Sequence, residues 1–143
     1  MPVIEGISHI TLIVRDLSRM KTLIETVLGG IEVYCSEKTT FSLSREIFFL
    51  IGDIWIAVME GDPASERTYN HIAFKISDAD LPKYLSKINA LGLEVRESRS
   101  RMKGEGCSIY FYDYDNHLFE LHTGTLEERL ILYGKKLNMQ NPQ

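Results

Sequence analysis

The sequence has few cysteines and no long apolar run, and each shortage excludes a class of protein. Cys35 and Cys107 stand far apart and lack a CxxC spacing, so we expect a reduced pair without a structural role. No apolar segment approaches the roughly 20 residues of a membrane-spanning helix. The N-terminus lacks the basic start and apolar stretch of a secretory signal. We therefore expect a cytoplasmic protein that has no membrane partner.

An excess of positive charge is also missing. The net charge of −4 gives no general reason to expect nucleic acid as a partner. A hydrophobic fraction of 44% and a charged fraction of 25% are ordinary for a globular protein. The 143 residues suffice for one domain with a real core and are too few for two independent domains.

What the sequence does contain is an internal repeat. Residues 9–16 match residues 71–78 at an offset of 62, and the same offset pairs residues 30–33 with residues 92–95. Such a repeat indicates two copies of one structural unit. We therefore predict a single domain over residues 1–143, with module one at about 4–60 and module two at about 69–124.

The apolar patterns predict the order βαβββ in each module, which gives an α+β fold with each half curling a small sheet around a cleft. Asp16 should cap the first helix, and Gly29 and Gly30 should end it. A further helix is predicted at about residues 125–137. The predicted strands lie near residues 7–14, 31–35, 46–51 and 55–59 in module one, and 70–76, 93–97, 108–113 and 118–122 in module two.

Two histidines hold symmetric positions, because His9 and His71 begin the two copies of the repeat. A divalent metal needs histidine or carboxylate ligands on rigid elements that converge on one point. A lone strand histidine is more often structural, but a symmetric pair favours a metal role.

Glu120 is the predicted third metal ligand. Alternation along its strand points it to the face opposite Phe119 and Leu121. Its repeat partner is Val58, which cannot bind metal, so three ligands leave coordination positions open, as in a catalytic metal site. The alternative for Glu120 is a surface charge on an edge strand.

His117 and His122 are competing candidates for the metal. His117 follows the turn at residues 113–116, whereas His122 shares a face with Glu120 and could orient a ligand by hydrogen bonding. Neither has a symmetric histidine partner, so neither is included among the predicted ligands.

Three segments resemble the metal-binding segments of the vicinal oxygen chelate (glyoxalase-like) superfamily: residues 9–11, 69–71 and 116–120. Residues 104–106, 108–111 and 124–129 resemble its fosfomycin-resistance branch, and in particular the FosX-type epoxide hydrolases. The likeness runs from about residue 6 to residue 133. It implies Mn²⁺, or another divalent metal, held by His9, His71 and Glu120. It also implies a domain-swapped homodimer in which His9 comes from one subunit and the other two ligands from its partner.

The resemblance also implies a general base. Some members of the branch open the epoxide with glutathione, bacillithiol or cysteine, whereas the FosX type uses water, and the glutamate of its signature matches Glu46. A free glutamate has a pKa of about 4.3, so Glu46 is expected to be ionised at neutral pH and able to accept a proton from water. The alternative is a solvated glutamate beside Arg45.

Fosfomycin carries a phosphonate dianion, and the resemblance assigns residues to bind it. Arginine suits this task because its planar guanidinium can donate hydrogen bonds to two phosphonate oxygens at once. Residues 98–103 should supply a further cation, for which Arg101 is predicted, with Arg99 or Lys103 or a merely solvated loop as alternatives. Trp55 resembles a pocket wall, although a core tryptophan is possible. No potassium-binding loop is evident. The predicted substrate-binding residues are Thr11, Trp55, Tyr69, Arg101, Tyr110 and Arg129.

The leading hypothesis is a Mn²⁺-dependent hydrolase that adds water to the epoxide of fosfomycin and gives an inactive vicinal diol. The alternatives are a thiol transferase acting on the same antibiotic, a non-catalytic drug-binding protein, and an Fe(II) dioxygenase, because two histidines and a carboxylate also suit that metal. Glu46 argues against the first alternative and the three metal ligands against the second. The fold alone does not separate them.

Overall fold

The computed structural model describes residues 1–96 and 103–140, with side chains described as far as Gly134. A single 3-10 turn at Asp78–Asp80 precedes the second helix. The order βαβββ occurs twice and a C-terminal helix follows, which confirms the predicted α+β class. The elements are β1 (Ile10–Val14), α1 (Leu17–Thr26), β2 (Ile31–Cys35), β3 (Glu46–Ile51), β4 (Ile54–Glu60), β5 (His71–Lys75), α2 (Leu81–Ala90), β6 (Val95–Arg96), β7 (Ser108–Tyr112), β8 (Leu118–His122) and α3 (Leu126–Gln140).

The two modules form four-stranded sheets of the same topology. The strand orders are β1-β4-β3-β2 and β5-β8-β7-β6. In each sheet the first and last strands of the module run parallel, and the other neighbours run antiparallel. This equality follows from the sequence repeat, because matching apolar patterns impose matching strand pairings.

Helix α1 begins at its predicted cap and ends at Thr26, with a C-cap at Val27, shortly before the predicted glycines. The Asp16 carboxylate accepts a hydrogen bond of 3.0 Å from the Arg19 amide, which satisfies one of the open N–H groups of the first turn. At the other end, Gly29 adopts a φ of +64°, a conformation that favours glycine. The Gly30 amide then donates to the Ile24 carbonyl at 3.0 Å.

The chain divides into two compact units, each with its own core. One unit comprises Met1–Arg67 with Asp113–Asn116, and the other comprises Thr68–Tyr112 with His117–Gln143. In the second unit, the rings of Phe111 and Phe119 stack with their centroids 5.6 Å apart. Fully or almost fully buried side chains include Val14, Met20, Leu23, Phe49, Ile56 and Val58 in the first unit and Ile88, Phe111, Phe119 and Leu121 in the second.

The predicted strands were too long at several ends. β1 begins at Ile10 rather than at residue 7, because its pairing with β4 begins at Ile10 opposite Ile56. His9 therefore immediately precedes the strand that was expected to contain it. β6 begins at Val95 rather than at residue 93, and the predicted end of that strand at residue 97 lies outside the described residues.

Two expectations about composition can be compared with the structure. Cys35 and Cys107 are both free and exposed, as expected of a reduced pair. Within the described residues, the helices are all too short or too polar to cross a bilayer.

Candidate metal centre

His71 and Glu120 lie together in the second unit. His71 Nε2 is 3.0 Å from Glu120 Oε1. The two residues meet because β5 pairs in parallel with β8, which places Ala73 opposite Glu120. β8 is an internal strand and Glu120 is only 4% exposed, so the alternative of a surface charge on an edge strand is wrong.

The hydrogen bonds of His71 show what this pair can bind. Its Nδ1 lies 2.7 Å from the Tyr69 carbonyl oxygen, which can only accept, so Nδ1 carries a proton. In the neutral ring, Nε2 then presents a lone pair to a carboxylate oxygen that also only accepts. Two acceptor atoms at this distance need a hydrogen atom or a metal cation between them, so the pair presents donor atoms that a divalent cation can bind. An imidazole fixed through its other nitrogen is the usual arrangement of a histidine metal ligand.

His9 lies in the first unit, just before β1. Its ring packs against Trp55 with a centroid distance of 4.2 Å, and its Nδ1 is 3.0 Å from Ser8 Oγ. In the part of the single chain that the structure describes, no group of three or more His, Cys, Asp or Glu side chains is placed to hold a metal. The resemblance implies that His9 comes from a different subunit than the other two ligands. The set of three ligands stays a prediction.

A hydrogen-bonded chain leads from Glu120 to the helix α3. Ser108 Oγ donates to Glu120 Oε2 at 2.5 Å and lies 2.7 Å from His122 Nδ1. On the other side of the ring, His122 Nε2 lies 3.3 Å from Arg129 Nη2. The position of His122 beside Glu120 is the one expected for a residue that orients a ligand. His117, by contrast, lies between the turn and β8, as the sequence indicated.

A cavity of about 260 Å³ opens beside these groups. Arg129 reaches it from the first turns of α3, whose start is fixed by Thr125. The Thr125 hydroxyl accepts from the Glu128 amide at 3.1 Å and donates to the Glu128 carboxylate at 3.0 Å, so Thr125 caps the first turn of α3. The cavity is lined by His71, Ala73, Glu120, His122, Gly124, Thr125, Leu126 and Arg129.

The two predicted tyrosines are in contact. Tyr69 Oη donates to Tyr110 Oη at 3.2 Å, and the rings of both tyrosines pack edge-on against His71. Tyr110 is 2% exposed and Tyr69 is 49% exposed, so one tyrosine of the pair is buried and the other is accessible to solvent.

Sequence reasoning missed Arg96, which lies beside this tyrosine pair. Its guanidinium carbon is 4.9 Å from the centre of the Tyr69 ring, and its Nη1 donates to Tyr112 Oη at 3.2 Å. Arg96 pairs with Tyr110 in the adjacent strand, a register that the sequence alone does not show. Arg101 and Arg99 lie outside the described residues, and Lys103 is exposed.

Glu46 is the first residue of β3 and is 6% exposed. Ser36 holds its backbone on both sides, because the Glu46 amide donates to Ser36 Oγ at 2.9 Å and its carbonyl accepts from the Ser36 amide at 3.0 Å. The Arg45 side chain instead forms an ion pair with Glu60, with Nη1 3.5 Å from Oε2. The alternative of a solvated glutamate beside Arg45 is therefore wrong.

Thr11 and Trp55 both lie in the first unit. Thr11 is exposed on β1. Trp55 is partly exposed, and its ring contacts Phe48 at 5.1 Å as well as His9. Its indole Nε1 is buried and has no acceptor among the described residues. A buried donor without an acceptor is costly, so this N–H is suited to donate to an oxygen from outside the described residues.

Residues 6–121 match the Glyoxalase/Bleomycin resistance protein/Dioxygenase superfamily. The fosfomycin resistance protein FosX of Mesorhizobium japonicum is 60% identical over 134 residues, which cover 94% of this chain and 96% of that protein. The metallothiol transferase FosB of Bacillus licheniformis is 37% identical over 132 residues, with 90% of this chain and 81% of that protein covered.

Two solved structures extend the likeness to the fold. The crystal structure of FosX from Mesorhizobium loti aligns with a TM-score of 0.81 at 59% identity, covering 90% of this chain and 99% of that chain. A FosX mutant from Listeria monocytogenes, complexed with Mn(II) and 1S,2S-dihydroxypropylphosphonic acid, aligns with a TM-score of 0.84 at 52% identity, covering 92% and 99%. The chain thus belongs to the Glyoxalase/Bleomycin resistance protein/Dioxygenase superfamily and, within it, to the FosX-type fosfomycin resistance proteins.

Proposed function

We propose that this protein is a Mn(II)-dependent epoxide hydrolase that adds water to fosfomycin and gives an inactive vicinal diol. The observation that carries the proposal is the contact of 3.0 Å between His71 Nε2 and Glu120 Oε1, beside a cavity that Arg129 also lines, in a chain of the FosX type. The Listeria monocytogenes relative was crystallised with Mn(II) and a dihydroxypropylphosphonic acid, which is the kind of diol this reaction yields.

His71 and Glu120, together with His9, would hold the metal. One imidazole and one carboxylate already face each other, and a second histidine would complete a set of nitrogen and oxygen donors that suits Mn(II) or a similar divalent ion. When bound, the metal supplies a Lewis acid that polarises the epoxide and stabilises the developing negative charge.

Glu46 would act as the general base. Its carboxylate takes a proton from water while the water oxygen bonds to the epoxide carbon that carries the phosphonate. The C–O bond of that carbon breaks, its electron pair stays on the former epoxide oxygen, and this oxygen takes up a proton. The net change is the addition of one water molecule, so no oxidant, reductant or thiol is consumed.

Cations and hydroxyl groups would hold the phosphonate. Arg129 lines the cavity beside His71 and Glu120, and the contacting hydroxyls of Tyr69 and Tyr110 can donate to an anion. Thr11, Trp55 and Arg101 keep the substrate-binding roles that the resemblance implies. Holding the substrate in line for attack can make a large contribution to the rate.

The assembly is also part of the proposal. We propose that residues 1–143 form one domain of two modules and that two chains form a domain-swapped homodimer, with His9 and the pair His71 and Glu120 supplied by different subunits. The cytoplasmic location stays a prediction.

The test is ³¹P NMR of fosfomycin incubated with the purified protein and Mn(II), without any thiol. Conversion to the diol, stopped by a chelator, is the expected result. Reaction only after glutathione, cysteine or bacillithiol is added would instead identify a thiol transferase, the activity named for the relative that is 37% identical. An unchanged signal under every condition would mean that fosfomycin is not the substrate.

A further inference from the structure

We propose that His122 is a positioning residue that sets the orientation of the Glu120 carboxylate through Ser108 and joins it to Arg129. The inference rests on the metal role proposed for Glu120. It adds a second layer of residues behind the metal ligand, with a fixed direction of hydrogen bonding.

Strand pairing places the members of this chain. Ser108 begins β7 and lies opposite His122, the last residue of β8. Glu120 is two positions before His122, so both side chains project from the same face of the strand. His122 Nδ1 consequently lies 2.7 Å from Ser108 Oγ and 3.4 Å from Glu120 Oε2.

The position of each proton follows from the donors and acceptors. An ionised carboxylate only accepts, so Ser108 gives its one hydroxyl proton to Glu120 Oε2. Ser108 Oγ must then accept from His122, which requires a proton on Nδ1. At the other end Arg129 only donates, so His122 Nε2 must accept and carries no proton. The distances thus define a chain of contacts from Arg129 through His122 and Ser108 to Glu120.

The surroundings of His122 keep its ring in place. Its side chain is 13% exposed. A Cβ added at Gly124 would lie 2.8 Å from His122 Nε2 and 2.6 Å from the Glu105 carbonyl oxygen. Only glycine at position 124 thus lets the backbone pass the ring edge and leaves Nε2 open to Arg129.

The consequence concerns the two oxygens of Glu120. The terminal torsion of a glutamate is broad and roughly two-fold, so packing alone defines it poorly. With Oε2 held by Ser108, Oε1 is the oxygen that faces His71 Nε2 at 3.0 Å. The same ring holds the guanidinium of Arg129 at the cavity wall. His122 thereby contributes both to metal affinity and to the position of the cation proposed to bind phosphonate.

The test measures Mn(II) affinity by electron paramagnetic resonance of the free ion, together with kcat and KM for fosfomycin. His122→Phe keeps a ring of similar size but removes both nitrogens, and we expect Mn(II) affinity to fall about 10- to 100-fold. His122→Asn keeps an N–H that can reach Ser108, but its side chain is too short to place an acceptor where His122 Nε2 meets Arg129. We expect it to recover most of the metal affinity while KM stays raised. His117→Phe is the matched control and should bind Mn(II) like the wild type.

Ser108→Ala provides a second route should His122→Phe fold poorly. If the residues act as one chain, the double variant of Ser108 and His122 binds Mn(II) no more weakly than the weaker single variant. Losses that multiply in the double variant would overturn the inference. The inference would also be overturned if His122→Phe bound Mn(II) as tightly as the wild type while Glu120→Gln had lost binding. That outcome would still support the proposed metal centre. Unchanged binding in Glu120→Gln itself would show that the proposed metal centre is wrong.

Discussion

Two buried glutamates, Glu46 and Glu120, differ in their contacts, and this difference supports the different roles proposed for them. Glu120 is 4% exposed, and both of its carboxylate oxygens have partners in Ser108 and His71. Glu46 is 6% exposed, and its hydrogen bonds within the described residues involve its backbone, through Ser36. A carboxylate whose oxygens are not engaged in holding a neighbour is suited to accept a proton from water.

Replacing Glu46, the proposed base, should therefore affect catalysis and little else. In Glu46→Gln we expect kcat for fosfomycin hydrolysis to fall by about 100-fold or more, because an amide cannot take up the proton. Mn(II) affinity and thermal stability should stay at wild-type values. Rates from ³¹P NMR and metal titration followed by electron paramagnetic resonance measure both quantities. Glu60→Gln, which removes a surface partner of Arg45, is the control; substantial hydrolysis by Glu46→Gln would refute the base assignment.

At the scale of elements, the short helix α1 combines a side-chain cap with a buried apolar face. α1 has ten residues, and it buries Leu17, Met20, Leu23 and Ile24 on one face. Helices of this length are marginal by themselves, so packing and capping must both contribute to their stability. The Asp16 cap is one such local contribution.

Removing that cap should lower the free energy of unfolding without touching the site. We expect Asp16→Ala to destabilise the protein by about 1 kcal/mol, because the Arg19 amide loses its acceptor. Urea denaturation followed by circular dichroism measures the loss. Asp62→Ala, in the exposed segment between the modules, should change stability little. Equal stability of the two variants would show that the cap contributes nothing.

At the scale of the whole molecule, metal binding and subunit assembly should be linked to the fold. A ligand that binds only the folded state stabilises it by about 2.7 kcal/mol when its free concentration is 100 times the dissociation constant. Mn(II) should accordingly raise the melting temperature, and a chelator should reverse the rise. The melting temperature of Glu120→Gln should not respond to Mn(II). A response equal to that of the wild type would place the metal elsewhere.

The proposed exchange of subunits makes a separate prediction. His9→Ala and Glu120→Ala should each be inactive alone. When the two variants are refolded together, each mixed dimer regains one complete site, because the intact His9 and the intact Glu120 come from different chains. Random mixing would restore about a quarter of the wild-type sites for a two-fold dimer. Activity that stays absent after confirmed mixing would place all three ligands in one chain.

The sequence by itself determined the order of elements and the equality of the two sheets. The repeat of His9 at His71 carries one apolar pattern twice, and equal patterns bury equal strand faces. The helix cap at Asp16 and the inward position of Glu120 were also predictable, because capping and strand alternation act between residues close in sequence.

Only the tertiary structure decided which side chains meet. The contact of His71 with Glu120 depends on the parallel pairing of β5 with β8, which are separated by most of a module. The chain from Ser108 through His122 to Arg129 requires a strand register and a helix position together, and Arg96 reaches Tyr69 across the sheet. Local patterns constrain the face on which a residue lies. Register and rotamer are set by long-range packing, so the atoms that perform the chemistry come together only in the folded molecule.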